Sequence, residues 1–150
     1  MKKIKINLDF VFNLLFPILS SFVIAMSLGD FSNYYDSLNS LVKVPRIVFP
    51  LVWGLLYVLM GYVGYKLQND SKGEKLYYLQ LFFNLLWTPL FFGLKNIWAG
   101  AINIVILLIL VIMEYVYLLK KEKKLSYYWL PYVIWTLFAT FLNVSILFLN

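Results

Sequence analysis

Apolar residues run along this chain in five long blocks separated by polar breaks, with approximate bounds 8–28, 47–67, 76–94, 97–119 and 127–149. Each block is near the roughly 20 residues that a helix needs to cross about 30 Å of hydrocarbon. Backbone groups in hydrocarbon must bond within their own element, so the blocks are predicted as helices. Barrel strands would be about half as long and would alternate polar with apolar side chains, and that alternation is absent. The pattern predicts an all-α integral membrane protein: one domain over residues 1–150, folded as a five-transmembrane-helix bundle. The first break, GDFSNYYDSLNSLVKV (29–44), is long enough to fold over a bundle mouth. NDSKGEK (69–75) reads as a turn, the third break is tight around Gly93, Lys95 and Asn96, and KKEKK (120–124) reads as a charged link.

Within each block the polar and large aromatic residues fall on one face. Positions three, four, seven and eleven apart share a side of a helix. The last block gives Tyr132, Trp135, Ala139 and Asn143; the second gives Trp53, Tyr57, Gly61 and Gly64; the third gives Gln80, Asn84, Trp87 and Phe91. The first gives Asn13, Pro17 and Ser20/Ser21, and the fourth is weaker, with Asn103, Leu107, Leu110 and Glu114. Polar groups in a membrane are costly to expose to lipid and face the bundle interior. Ser20, Ser21, Gly61, Gly64 and Ala139 suit close helix packing. Trp98 and Trp129, near block ends, read as interfacial anchors. Trp53, Trp87 and Trp135 lie deeper, beside amides and phenols. That combination suits a pocket for a large, flat, mostly apolar ligand with a few polar handles, as well as plain helix packing.

Composition removes several alternatives. Of the residues 63% are hydrophobic and 13% charged, and the mean hydropathy is +0.80. A soluble domain has about 25% charged residues. There is no cysteine and no histidine, so disulfides, thiolate metal sites and imidazole chemistry are unavailable. No metal site is expected, and no cofactor is required. The net charge of +6 lies between apolar blocks and reads as a topology signal, with lipid and not nucleic acid as the partner. Lys2, Lys3, Lys5, Lys66, Lys72, Lys75, Lys120, Lys121, Lys123 and Lys124 share one side, against Lys43, Arg46 and Lys95 on the other. The positive-inside rule then places the N-terminus in the cytoplasm and the long first loop outside. The first block is too long for a cleaved signal segment and is expected to be retained. Glu114 lies one or two turns from the lysine run and is expected to snorkel to the interface. No phosphate loop, nucleophile elbow or metal-ligand spacing is present, and no internal repeat of the transporter kind is visible.

Three segments carry a resemblance: WGLLYVLMGY (53–62), QLFFNLLWTPLFFG (80–93) and PYVIWTLFATFLN (131–143). They resemble the TspO/MBR family, whose members are called tryptophan-rich sensory proteins, translocator proteins or peripheral-type benzodiazepine receptors. The similarity runs from about Tyr34 to Asn150. It implies five membrane helices, a homodimer and a ligand pocket under the first loop. Family ligands include protoporphyrin IX, benzodiazepine-type drugs and, in animals, cholesterol. Some bacterial members are reported to promote light-dependent degradation of protoporphyrin IX, and the tryptophans implicated match Trp53 and Trp135, the tentative catalytic pair. Pocket residues would fall at Tyr57, Asn84, Trp87, Ala139 and Asn143, with a loop tyrosine at Tyr34 or Tyr35. The ligand-binding set carried forward adds Tyr35, Phe91 and the two tryptophans.

The departures lie in the first loop, where NSLVKVPRIVF replaces a K-P-x-W-x-P-P pattern, in Asn103 where an acidic residue is usual, and in a C-terminus without the proposed cholesterol motif. The resemblance points to a porphyrin-binding membrane sensor, with Lys43 or Arg46 pairing with propionates. Light-driven porphyrin breakdown, transport of a hydrophobic solute and a ligand-free scaffold remain alternatives. The lysine-rich usage fits a bacterial plasma membrane.

Overall fold

The computed structural model describes residues 7–150; Lys2, Lys3 and Lys5 of the predicted cytoplasmic cluster lie outside the described residues. Helix α1 spans Leu8–Leu28, a short α2 spans Ser32–Ser37, α3 spans Val48–Leu67, α4 spans Ser71–Thr88, α5 spans Ile97–Lys121 and α6 spans Lys123–Leu149. No strand occurs among the described residues. Helices α1, α3, α5 and α6 are long and apolar enough to cross a membrane. Helix α4 is not among these four, because its 18 residues begin with Lys72, Glu74 and Lys75.

Two breaks are shorter than their composition predicts. SKGEK is the first turn of α4 and not a loop. Asp70 precedes that helix, its carbonyl accepting from Glu74 N–H at 2.8 Å. Its carboxylate accepts from Tyr117 and pairs with Lys121, which ties the start of α4 to the end of α5. Gly73 is needed in that turn, since a Cβ there would stand 2.6 Å from Asp70 Oδ2 and 2.7 Å from Leu67 Cδ2. KKEKK is likewise helix at both ends. Glu122 alone, at φ −149° and ψ 93°, separates α5 from α6.

At the other end of α4, Pro89–Gly93 widens into a π-helical turn. Pro89 has no N–H to continue the α-helical ladder, and the extra residue in the turn lets Phe91 and Phe92 both reach inward. The predicted first loop holds α2, which the apolar pattern did not foresee. Lys43 fastens this loop. Its ammonium donates to the carbonyls of Tyr35, Asp36 and Leu38 at 3.3, 3.2 and 3.0 Å, using all three of its donors. Asn150 closes the loop from the far side, with its Oδ1 accepting from Asn39 N–H at 2.9 Å and its Nδ2 donating to Asn39 O at 2.8 Å.

Helices α5 and α6 pack along most of their length, α1 lies on α3, and α4 packs on α5. The α1–α3 crossing is backbone to backbone. A Cβ on Gly61 would sit 2.7 Å from Leu14 Cα and 2.8 Å from Asn13 O. The outer faces remain apolar and open, as at Phe12, Leu19, Phe22, Val105, Ile109 and Leu137.

Two sequence expectations are overturned. Trp129 is no interface anchor: it is 0% exposed, and its indole donates to Val111 O at 3.1 Å. Helix α6 starts four residues before its predicted bound, which puts Trp129 on the buried stripe of Leu125, Tyr132, Thr136 and Ala139. Glu114 does not snorkel. It is 0% exposed, because Leu107, Val111, Glu114 and Leu118 form the face of α5 turned into the bundle. Trp98, at 67% exposed, does face outward.

Candidate functional site

The stripes of α3, α4 and α6 meet in a run of hydrogen bonds. Tyr57 O–H donates to Asn84 Oδ1, Asn84 Nδ2 donates to the Tyr132 hydroxyl, and Tyr132 O–H donates to Gln80 Oε1, each at 2.8 Å. Buried polar groups need partners, and here three helices supply them to one another. A second link joins α4 to α6, where Trp87 Nε1 donates to Asn143 Oδ1 at 3.0 Å.

Two cavities flank this core. The larger is a cleft of about 530 Å³ bounded by α1, the first loop, α3 and α4. That volume lies in the range of small-molecule sites, about 300–1,000 Å³. Phe49, Trp53, Trp87 and Phe92 give it aromatic walls, and Tyr57 and Asn84 are among its polar groups. The smaller cavity, about 30 Å³, lies toward α6 and is lined by Phe91, Trp135, Ala139 and Asn143. It has room for a water or two and no more.

The predicted site is therefore divided. Tyr35, Trp53 and Trp87 line both cavities. Tyr57 and Asn84 line only the cleft, while Phe91, Trp135, Ala139 and Asn143 line only the inner cavity. The partition between them is aromatic. Trp53 stacks on Tyr57 at 5.7 Å and stands edge-on to Tyr132 at 6.1 Å, and Phe49 lies edge-on to Trp135 at 6.2 Å. The Trp135 indole nitrogen is buried without a hydrogen-bond partner among the described residues.

The mouth carries the charge. Arg46 and Asp30 line the cleft, and Arg46 lies 3.7 Å from Asp36 in an exposed pair. Of the two cations expected to meet an anionic ligand, Lys43 is committed to the loop carbonyls, which leaves Arg46 as the cation lining the cleft among the described residues. Ser32, bonding through its side chain and backbone N–H, holds the Asp30 carboxyl below its usual range. Tyr35 O–H donates to Val44 O at 2.9 Å, and burial pushes that hydroxyl up. Tyr35 thus braces the lid with its hydroxyl and offers the cavities its ring.

Sequence reasoning missed Phe49 and Phe92. Phe49 precedes Trp53 by four residues, so the stripe of α3 extends one turn beyond the four positions that the pattern picks out. Phe92 was hidden because an α-helical period cannot anticipate the wide turn at Pro89–Gly93. There Trp87 stacks on Phe91 at 5.1 Å and meets Phe92 edge-on at 5.5 Å.

A model of the TspO/MBR family matches residues 11–149. The chain is 42% identical over 111 residues to "Tryptophan-rich protein TspO" of Archaeoglobus fulgidus, covering 71% of this chain and 72% of that protein. It is 34% identical over 113 residues to "Tryptophan-rich protein TspO" of Chlorobaculum tepidum, with 71% and 72% covered. It is 37% identical over 122 residues to "Tryptophan-rich sensory protein" of Cereibacter sphaeroides, with 78% and 77% covered.

Proposed function

The chain belongs to the TspO/MBR family and is an integral membrane protein, and we propose that it is a sensor that binds a tetrapyrrole such as protoporphyrin IX in the cleft between α1, α3 and α4. The observation that carries this reading is the cleft itself, a slot of about 530 Å³ walled by Trp53, Phe49, Trp87 and Phe92. Flat aromatic walls suit the apolar face of a porphyrin. Tyr57 and Asn84 supply polar handles, and Arg46 at the mouth is placed to pair with propionates. The chain has no histidine, which favours the metal-free porphyrin. A benzodiazepine-type drug would use the same walls.

The reading includes five crossings, with α4 and its wide turn as the one that hydropathy alone does not flag. It includes a cytoplasmic N-terminus in a bacterial plasma membrane, supported by Lys66, Lys72, Lys75 and the Lys120–Lys124 run at one end of the bundle. It also includes a homodimer. Titrating protoporphyrin IX into the protein while following tryptophan fluorescence tests the binding. Quenching that saturates supports it, and an affinity unchanged in the Trp53→Phe/Trp135→Phe double variant overturns it.

A second reading, light-driven oxidation of the bound porphyrin, is favoured by the continuity of Trp53 with Trp135 across the partition. Tryptophan is oxidisable, so the pair would act as redox partners of the excited ligand. Illumination in air, with porphyrin absorbance followed against empty detergent, separates this from binding alone.

A further inference from the structure

Seven buried polar side-chain atoms lack a hydrogen-bond partner among the described residues, and four of them belong to the packed helices α4 and α5. They are both carboxyl oxygens of Glu114, the hydroxyl of Tyr77 and the amide nitrogen of Gln80. Glu114 and Gln80 are 0% exposed, and Tyr77 is 2% exposed. Tyr77 and Gln80 are one turn apart on α4. Glu114 is one turn from Val111, whose carbonyl accepts from the Trp129 indole. Trp129 packs against both Tyr77 and Tyr132, with ring centroids 6.3 and 5.1 Å apart. These two phenols are therefore the titratable groups that α4 and α6 place about the Glu114 carboxyl among the described residues. On its own helix, Tyr117 is turned away to Asp70. Among the described residues no lysine or arginine pairs with Glu114. Lys66 lies over the Tyr62 ring, and Lys72 and Lys121 lie over the Tyr117 ring.

Gln80 is also the last member of the hydrogen-bond run that begins at Tyr57 in the cleft. That run has a direction. Every donor points toward Gln80: Tyr57 to Asn84, Asn84 to Tyr132, Tyr132 to Gln80. The end of the run is then the partnerless Nε2 of Gln80, and N–H groups there suit an ionised, acceptor-only carboxylate nearby. The two amides have oxygen and nitrogen ends of nearly the same size, so both can turn over in the same space. With both turned, Gln80 Nε2 donates to Tyr132, Tyr132 donates to Asn84 Oδ1, and Asn84 Nδ2 donates to Tyr57. The free end of Gln80 is then an oxygen, which suits a protonated, donating carboxyl nearby.

We propose that Glu114 is an internal proton-binding site, and that loading it reverses the chain Gln80–Tyr132–Asn84–Tyr57. The Tyr57 hydroxyl then faces the cleft as an acceptor when Glu114 is ionised and as a donor when it is protonated. The proton balance is simple. One proton is gained, on Glu114. Along the chain two amides rotate and two hydroxyl hydrogens re-aim, and no bond to hydrogen breaks. An uncompensated charge in this interior is costly, so the chain's direction and the charge on Glu114 are bound to move together. The cleft would thereby prefer an acceptor-bearing ligand in one protonation state and a donor-bearing ligand in the other.

The test uses the full chain in lipid bilayers, with no porphyrin present, and infrared difference spectra taken across a pH titration. A carboxylic acid C=O band is expected on acidification that is lost in Glu114→Gln and displaced in Glu114→Asp. The shorter acid keeps the assignment readable if the glutamine variant fails to fold. A phenol band is expected to shift over the same pH interval, and to do so no longer in Tyr57→Phe. Gln80→Leu is expected to keep the carboxyl band and lose the phenol shift. Acid bands identical in wild type and both Glu114 variants would overturn the proton site. A phenol shift that survives Gln80→Leu or Tyr57→Phe would overturn the coupling. Because no ligand is used, either failure leaves the tetrapyrrole reading standing, and a failed porphyrin titration leaves this inference standing.

Discussion

The indole of Trp53 stands edge-on to that of Trp135, with ring centroids 6.4 Å apart and planes at 85°. The two rings touch across a partition, with the cleft on one side and the small inner cavity on the other. A ligand in the cleft meets Trp53 directly and Trp135 only through it.

Trp53→Phe should therefore weaken protoporphyrin IX more than Trp135→Phe. Stacking of the Trp53 indole on the ligand is worth on the order of 1 kcal/mol, or about five-fold in Kd. Trp135→Phe should change Kd by less than about two-fold. Fluorescence titration of both variants decides this. Equal losses would mean that the ligand opens the inner cavity.

Charge at the mouth gives a second comparison. Arg46→Gln should weaken porphyrin binding at low salt and reduce its salt dependence, since the guanidinium lies at the cleft in a screened, exposed setting. Lys43→Gln should act differently. It releases the loop carbonyls and should raise the proteolysis rate of residues 38–45, while the salt dependence of binding stays as in wild type.

Packing of the tryptophans separates interior from surface. Trp129→Phe removes a buried hydrogen bond to Val111 O and should destabilise the fold by about 1 kcal/mol. Trp98→Phe should stay within about 0.5 kcal/mol. Thermal unfolding in detergent provides the measurement.

Glycines on the same helix should diverge. Gly61→Ala must push α1 off α3 and should lose about 1–3 kcal/mol. Gly54→Ala meets nothing within 4 Å and should be neutral or stabilising by up to about 1 kcal/mol. The same unfolding assay compares them.

Acid should release the tie between α4 and α5. Bonds from Lys121 and Tyr117 hold the Asp70 carboxyl below its usual value of 3.8. A depressed folded value means the contribution is present above the unfolded value and is lost as pH falls through the folded one. The stability gap between wild type and Asp70→Asn should be flat from neutral pH down to about 5 and close only below about 4. A gap that closes near neutrality would contradict the assignment.

Hydropathy blocks located α1, α3 and α5 to within one or two residues at each end, because lipid imposes a length that composition records. Links were harder. Lysine and glutamate are good helix formers, so SKGEK and KKEKK continue helices although they look like loops. Period 3.6 puts Tyr57, Asn84, Trp87 and Asn143 on inward stripes, and the structure joins Tyr57 to Asn84 and Trp87 to Asn143 across them. What periodicity cannot say is which stripe members share a cavity. The split between Tyr57 and Trp135 arises from how Trp53 and Phe49 rotate into the gap. The burial of Glu114 escapes the sequence for a related reason: its distance from the lysine run is visible there, but its rotation into the bundle is not.

The one-residue link at Glu122 bears on how the molecule assembles. Helices α5 and α6 are neighbours in sequence as well as in space, and local connectivity of that kind makes folding fast. These two helices should close on each other first, as a hairpin entering the bilayer together. Their shared surface already holds the bond from the Trp129 indole to Val111 O. The other helices then dock onto a template whose polar interior was laid down at the start. Lengthening that link with a flexible insert should slow assembly of the whole bundle while leaving the finished cleft unaltered.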